Sequence, residues 1–199
     1  LDHIGQAEAL LKYAGELEGL GRTEDDLAYL RPEWEFHNAI LAEQPNTDFA
    51  FVIARQFLLD VYLCLVYENL QKSTDSTLAG MATRFLKEAV YHCRHSGSWV
   101  MRLGGGTDES RTRIQRAFNE LWKFTGELFV ETDLEKTLVP DSAALFPTWK
   151  SQVENALSQA GLEVPQISNF RKMTGHTEHL GHILTEMQYL QRAFPDAAW

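Results

Sequence analysis

Apolar residues recur along this chain at intervals of three and four, and nowhere in a sustained alternation of period two. The first pattern runs one apolar stripe down a helix, whereas a half-buried strand would need the second. The sequence therefore predicts helices throughout. One covers 1–18. Thr23 with Asp25-Asp26 opens a short one in "TEDDLAYL", and another, "EWEFHNAILAE", follows Pro32 and stops before Pro45. "NTD" caps a long helix over 47–72, and "GGG" stops a second over 77–103. Thr107-Asp108-Glu109 opens the next, over 107–129, and two C-terminal helices are expected over 147–160 and 177–194. Side-chain oxygens that accept from the first helical N–H groups, and glycines that end the last turn, set these limits. "VPDSAALFP" and "GLEVPQISNFRKMTG" read as connectors.

Both long helices exceed 25 residues. The turn "STDST" between them is so short that they must lie antiparallel. The reading is a single all-α domain over 1–199, a bundle of long helices. "FAFVIARQFLLDVYLCLVY", residues 49–67, has the length of a membrane span. Arg55 and Asp60 in its middle would be costly in lipid, so it reads as the central helix of a bundle, buried on all sides. The chain opens "LDHIGQ", in helical stride with no capping residue ahead of it. An earlier helix is expected to precede it.

Composition narrows the function classes. An apolar fraction of 44% and a charged fraction of 23% are those of a globular protein with ample core. The net charge of −10 argues against nucleic acid and anionic membrane as partners. Cys64 and Cys93 form no paired-cysteine framework, which fits a reducing, cytoplasmic setting.

Candidate chemistry lies along the helix seams. Leu78, Ala82, Phe85, Ala89, His92, Ser96, Trp99 and Leu103 make the seam of the second long helix, and Phe49, Ile53, Gln56, Asp60, Leu63 and Tyr67 a line on the first. Asp60 and His92 are about equally far from the turn, so they fall within about one helical turn, ~5 Å, of the same height. A buried carboxylate must be paired, hydrogen-bonded or metal-bound. Two readings stand: an Asp–His pair that fixes register, favoured on the residues, or metal ligation. For a di-iron site the residue three before the histidine should be Glu, and it is Ala89. His3 and Gln6 share the i, i+3 spacing of a half-site, but Gln brings no charge to a cation. Asp60, His92 and His3 are too few for two irons.

Near the C-terminus His176, His179 and His182 stand at i, i+3 and i+6, which could hold Zn²⁺ or Ni²⁺. His176 precedes the helix, and solvated histidines beside Glu are the commoner case, so no metal is expected. Arg102, Arg111, Arg113 and Arg116 bracket "GGGTDES". They read as a solvated face that balances the acidic chain, with an acidic-partner patch as the alternative.

"VIARQFLLDVYL", "KEAVYHCRHSGSWVMRLGGGTD", "LWKFTGELF" and "HTEHLGHILTEMQYLQRAFP" together resemble the PaaC-type subunits of bacterial ring-1,2-phenylacetyl-CoA epoxidases, along essentially the whole chain. The resemblance implies a ferritin-like bundle and a place in aerobic phenylacetate degradation. It also implies a related PaaA-type catalytic subunit that carries the di-iron centre. That subunit's Asp-Glu-Ala-Gly-His lies on Asp2-His3-Ile4-Gly5-Gln6, so His3 stands for a ligand Glu and Gln6 for a ligand His. Its aspartate ligand lies on Asp60. Its Lys-Glu-Glu-Ser-Phe-His lies on Lys87-Glu88-Ala89-Val90-Tyr91-His92, so Ala89 replaces a ligand Glu while His92 remains.

What this implies is a scaffold subunit with a degenerate di-iron site, no catalytic residue and no cofactor of its own. The di-iron catalytic subunit is its expected partner, with self-association left open. The alternatives are a metalloenzyme with an atypical site of His3, Asp60 and His92, or a stand-alone helical metal-binding module using His176, His179 and His182.

Overall fold

The computed structural model describes residues 1–130, 144–166, 175–195 and 197. Its helices are α1 (Asp2–Glu18), α2 (Ile40–Glu43), α3 (Phe49–Leu70), α4 (Ser76–Gly104), α5 (Asp108–Leu121), α6 (Leu145–Gln159) and α7 (Glu178–Ala193), with no strand among the described residues. The fold is all-α, as the helical periodicity predicts, and of the ferritin-like type that the resemblance implies. Compactness divides the chain into two units, Leu1–Asn38 with Thr174–Trp199, and Ala39–Met173. Of the two expected connectors, residues 139–143 and 167–174 lie outside the described residues.

In the first unit, α1 ends at Gly19, whose φ of 70° is left-handed and suits a residue without Cβ. Thr23 and Asp26 then cap each other: the Thr23 N–H and hydroxyl donate to the Asp26 carboxylate at 2.8 and 2.9 Å, and the Asp26 N–H donates back at 3.1 Å. The short helix they open is a π-turn over Asp26–Leu30. The helix expected after Pro32 is broken. A 3₁₀ turn, Glu33–Glu35, gives way to extended backbone at Phe36, and helix resumes only at Ile40. Phe36 instead packs on Leu180 and Leu184 of α7, and that contact outweighs local helix propensity.

In the second unit, α3 and α4 form the predicted antiparallel hairpin, with α5 and α6 packed on it. Asp48 caps α3 by accepting from the Phe51 N–H at 2.8 Å. This fixes the start at Phe49 rather than 47. At the other end Gln71 and Lys72 are already in the turn, so α3 has 22 residues and not more than 25. Asp75 caps α4 through the Thr77 and Leu78 N–H groups, and α4 runs for 29 residues.

By length and composition α3 could cross a membrane, yet 61% of its most apolar window is buried inside the protein. It is a core helix. Trp149 of α6, fully buried, donates its indole N–H to the Leu58 carbonyl at 3.0 Å and ties α6 to α3.

Two local departures have physical causes. The helix expected over 107–129 is α only to Leu121 and continues as 3₁₀ over Trp122–Phe129. Buried Thr125 donates its hydroxyl to the Trp122 carbonyl at 2.9 Å, a local bond that tightens the backbone. The first glycine of "GGG" is no stop signal. Gly104 is the last residue of α4 and lies against the Ala160 carbonyl, where a Cβ would overlap the oxygen.

Candidate functional site

In the second unit, α3 carries a carboxylate deep among apolar side chains. α3 is apolar around most of its circumference; Arg55 and Gln56 are half-buried, while Asp60, in its middle, is 1% exposed. Its oxygens are both engaged. Oδ2 accepts from the hydroxyl of Ser96 on α4 at 2.7 Å, and Oδ1 accepts from the Gln56 side-chain amide, one turn away on α3, at 2.6 Å. Ser96 is itself 1% exposed. Hydrogen bonds to a charged acceptor are the strong kind, and here they replace the lost hydration of the carboxylate.

His92, half-buried, lies one turn before Ser96 on α4. A ring nitrogen and an Asp60 oxygen come within 4.8 Å of each other. Ala89, where a di-iron motif would have Glu, is buried and contributes a methyl group. His3 and Gln6 are on α1 of the first unit, His3 exposed and Gln6 4% exposed. The sequence placed Ser96 in the seam without identifying it as the donor to Asp60. Its spacing of four from His92 on the same seam was the available signal.

These residues do not fit a di-iron centre. Such a centre takes four carboxylates and two histidines. At the five positions considered the chain offers one carboxylate, Asp60, whose two oxygens already accept hydrogen bonds. Ala89 and Gln6 supply no anionic ligand.

Beyond Asp60 on the same hairpin, Cys64 of α3 meets Cys93 of α4, both as free thiols. The hydrogen bond with Cys93, then burial, push the Cys64 thiol well above its ordinary range.

The three C-terminal histidines do not converge on a shared three-ligand site among the described residues. His176 precedes α7 and its Nε2 sits 2.8 Å from the Phe36 carbonyl oxygen, while His179 is half-buried and His182 exposed. Nor do the four arginines form one patch. Arg116 bonds Asp48 at 3.0 Å, Arg113 bonds Glu109 at 2.6 Å, and Arg111 donates to the Gly104 carbonyl at 2.8 Å. Arg102 instead lies over the ring of Trp99, 5.2 Å from its centroid.

A family model described as a phenylacetic acid catabolic protein, PaaA_PaaC, matches residues 1–199. The chain is also 44% identical over 207 residues to the C-type subunit of the 1,2-phenylacetyl-CoA epoxidase of Escherichia coli (strain K12). That alignment takes in 100% of this chain and 83% of the relative. The chain belongs to the PaaA_PaaC family of phenylacetic acid catabolic proteins.

Proposed function

We propose that this chain is the non-catalytic scaffold subunit of a multicomponent phenylacetyl-CoA 1,2-epoxidase in aerobic phenylacetate breakdown. It binds and stabilises a di-iron catalytic subunit, and the oxygen chemistry belongs to that partner. One observation carries the reading. The Asp60 carboxylate is committed on both oxygens to Ser96 and Gln56, and Ala89 stands where a second carboxylate would be needed. Asp60 and His92 then serve as an internal polar pair that fixes the register of α3 on α4. Iron resides in the partner. The free cysteines fit a cytoplasmic setting, and the charge of −10 disfavours nucleic acid and anionic lipid.

Metal content and assembly test this together. The chain is purified alone, loaded with Fe²⁺, desalted, and its iron and zinc counted. It is also co-expressed with the catalytic subunit. The expected result is almost no iron on the chain and a stable hetero-complex. About two irons per chain, or oxygen-dependent turnover by the chain alone, would overturn the reading. Zn²⁺ affinity that disappears in His179→Ala, with no binding of the catalytic subunit, would point to a metal-binding module instead. An Asp60→Leu/His92→Leu double variant should keep both assembly and activity of the complex. Loss of activity in an intact complex would show that these residues do more than hold the hairpin.

A further inference from the structure

The outward face of α4 is a row of cations with apolar side chains between them. Arg84, Lys87, Arg94 and Arg102 are all exposed and fall within one arc of the helix. Val90, Tyr91 and Met101 lie in the same arc, at 52, 56 and 39% exposure. His95 stacks on Tyr91 with ring centroids 6.3 Å apart. From Arg84 to Arg102 the row is about 27 Å long at 1.5 Å per residue. Glu88 is the one acid in that stretch of sequence, and it is half-buried at the flank.

None of the four cations forms an ion pair among the described residues. Three are held instead against rings of their own helix: Arg84 over Phe85 at 5.8 Å, Arg94 over Tyr91 at 5.7 Å and Arg102 over Trp99 at 5.2 Å. Stacking of this kind orders a guanidinium and leaves its N–H edge open to an acceptor. What sets the row apart in a chain of net charge −10 is that four such cations share one arc of one helix, with apolar side chains between them. On α5, by contrast, Arg113 and Arg116 are matched with Asp48, Glu109 and Glu120.

We propose that the outward face of α4 is the docking surface for an acidic, helix-built face of a partner protein, with carboxylates opposite Arg84, Lys87, Arg94 and Arg102 and apolar side chains over Val90, Tyr91 and Met101. The inference rests on the scaffold reading, since the partner tested is the catalytic subunit that reading names. Charge complementarity selects the chemistry of the partner. The interleaved apolar groups select a protein over a polyanion: a nucleic acid or lipid headgroup layer would leave Val90 and Met101 uncovered and would be repelled by the remaining acidic surface. Arg, Tyr and Met are also the residues enriched at the centres of protein interfaces. The row is narrower than one side of a standard interface, about 800 Å². The partner must therefore extend past it, and Phe49, 52% exposed and edge-on to Trp99 at 5.0 Å, lies at its border.

Affinity for the purified catalytic subunit is measured in low and moderate salt, for the wild type and for Arg94→Glu/Arg102→Glu. The expected result is wild-type binding that weakens with salt and falls by tenfold or more in the variant, whose melting temperature is unchanged. A separate Tyr91→Ser variant should weaken binding without altering its salt dependence. Wild-type binding with equal affinity and salt dependence in the charge-reversed variant would overturn the assignment of this face and leave the scaffold reading standing. A wild type that binds no catalytic subunit would overturn both. Phosphatidylserine vesicles bound by the wild type and released by the charge reversal, with the protein affinity unaffected, would assign the face to lipid instead.

Discussion

The two faces of α4 treat their polar groups in opposite ways. Inward, Ser96 donates to the Asp60 carboxylate across the hairpin, and Gln56 donates to its other oxygen. Outward, Arg84, Lys87, Arg94 and Arg102 meet no carboxylate among the described residues. The inward carboxylate had to be satisfied internally, because Asp60 and Ser96 are buried and a bare carboxylate there would be several kcal/mol too costly. The outward groups carry no such requirement, since water solvates them until something better arrives. The polar groups of Asp60 and Ser96 are thus closed off inside the hairpin, while the surface that can still form new bonds lies on the other side of the same helix.

The largest expected effect comes from opening the inner cluster. Asp60→Ala takes the carboxylate from the Gln56 amide, leaves the Ser96 hydroxyl only the carbonyls of its own helix and adds a cavity, which should cost about 2–4 kcal/mol in urea unfolding. Adding Ser96→Ala and Gln56→Leu to Asp60→Leu removes the carboxylate together with both of these donors and should recover most of that loss. If Asp60→Ala costs less than about 0.5 kcal/mol, the cluster does not hold the hairpin.

Next comes Gly104→Ala, also on the buried side. The new methyl group would meet the Ala160 carbonyl, so α4 and α6 must separate, at about 1–3 kcal/mol. A thermal midpoint equal to wild type would mean that the α6 end yields freely. On the outward face the same kind of measurement should give less. Arg84→Ser and Arg94→Ser should each fall within about 1 kcal/mol of wild type, because each removes an exposed group whose contact is a ring of its own helix. A larger loss would show that the stacked guanidiniums support the helix.

Much of the inner face was legible in the sequence. Asp60 shares a seam with Phe49, Ile53, Leu63 and Tyr67, so the spacing alone carried it toward the core. A short turn fixes the height of His92 relative to it. Asp48 and Thr107 were readable as caps, because a cap is a local bond. The features that escaped depend on residues far along the chain. Gly104 is small because of Ala160, and Phe36 breaks its helix because of Leu180 and Leu184. The arginines misled for the same reason. Arg102 is near Arg111, Arg113 and Arg116 in sequence, but Asp48 claims Arg113 and Arg116 and leaves Arg102 with the row on α4.

Glu127 lies between the two extremes and gives the smallest effect. It is half-buried, accepts the Leu41 N–H at 3.0 Å, and has the buried Glu43 nearby. Burial raises its carboxyl above the ordinary range. The Leu41 and Ile40 N–H groups pull it down, and the charge of Glu43 adds to the rise. The folded chain therefore holds this proton more tightly than the unfolded chain does. Its contribution to stability is full below the unfolded value, about pH 4.3, and is lost as pH rises through the higher folded value. Glu127→Gln keeps an acceptor for Leu41 and removes the charge. At neutral pH it should be more stable than wild type by about a few tenths of a kcal/mol, a figure kept small by the solvent around a half-exposed group. Relative to that neutral-pH value, the variant's advantage should shrink as the pH falls toward 4. Denaturant midpoints of both proteins at pH 4, 5.5 and 7 measure this. An advantage that instead grew toward pH 4 would mean that the ionised Glu127 is the form the fold prefers, and would group this carboxylate with Asp60 rather than between the two faces.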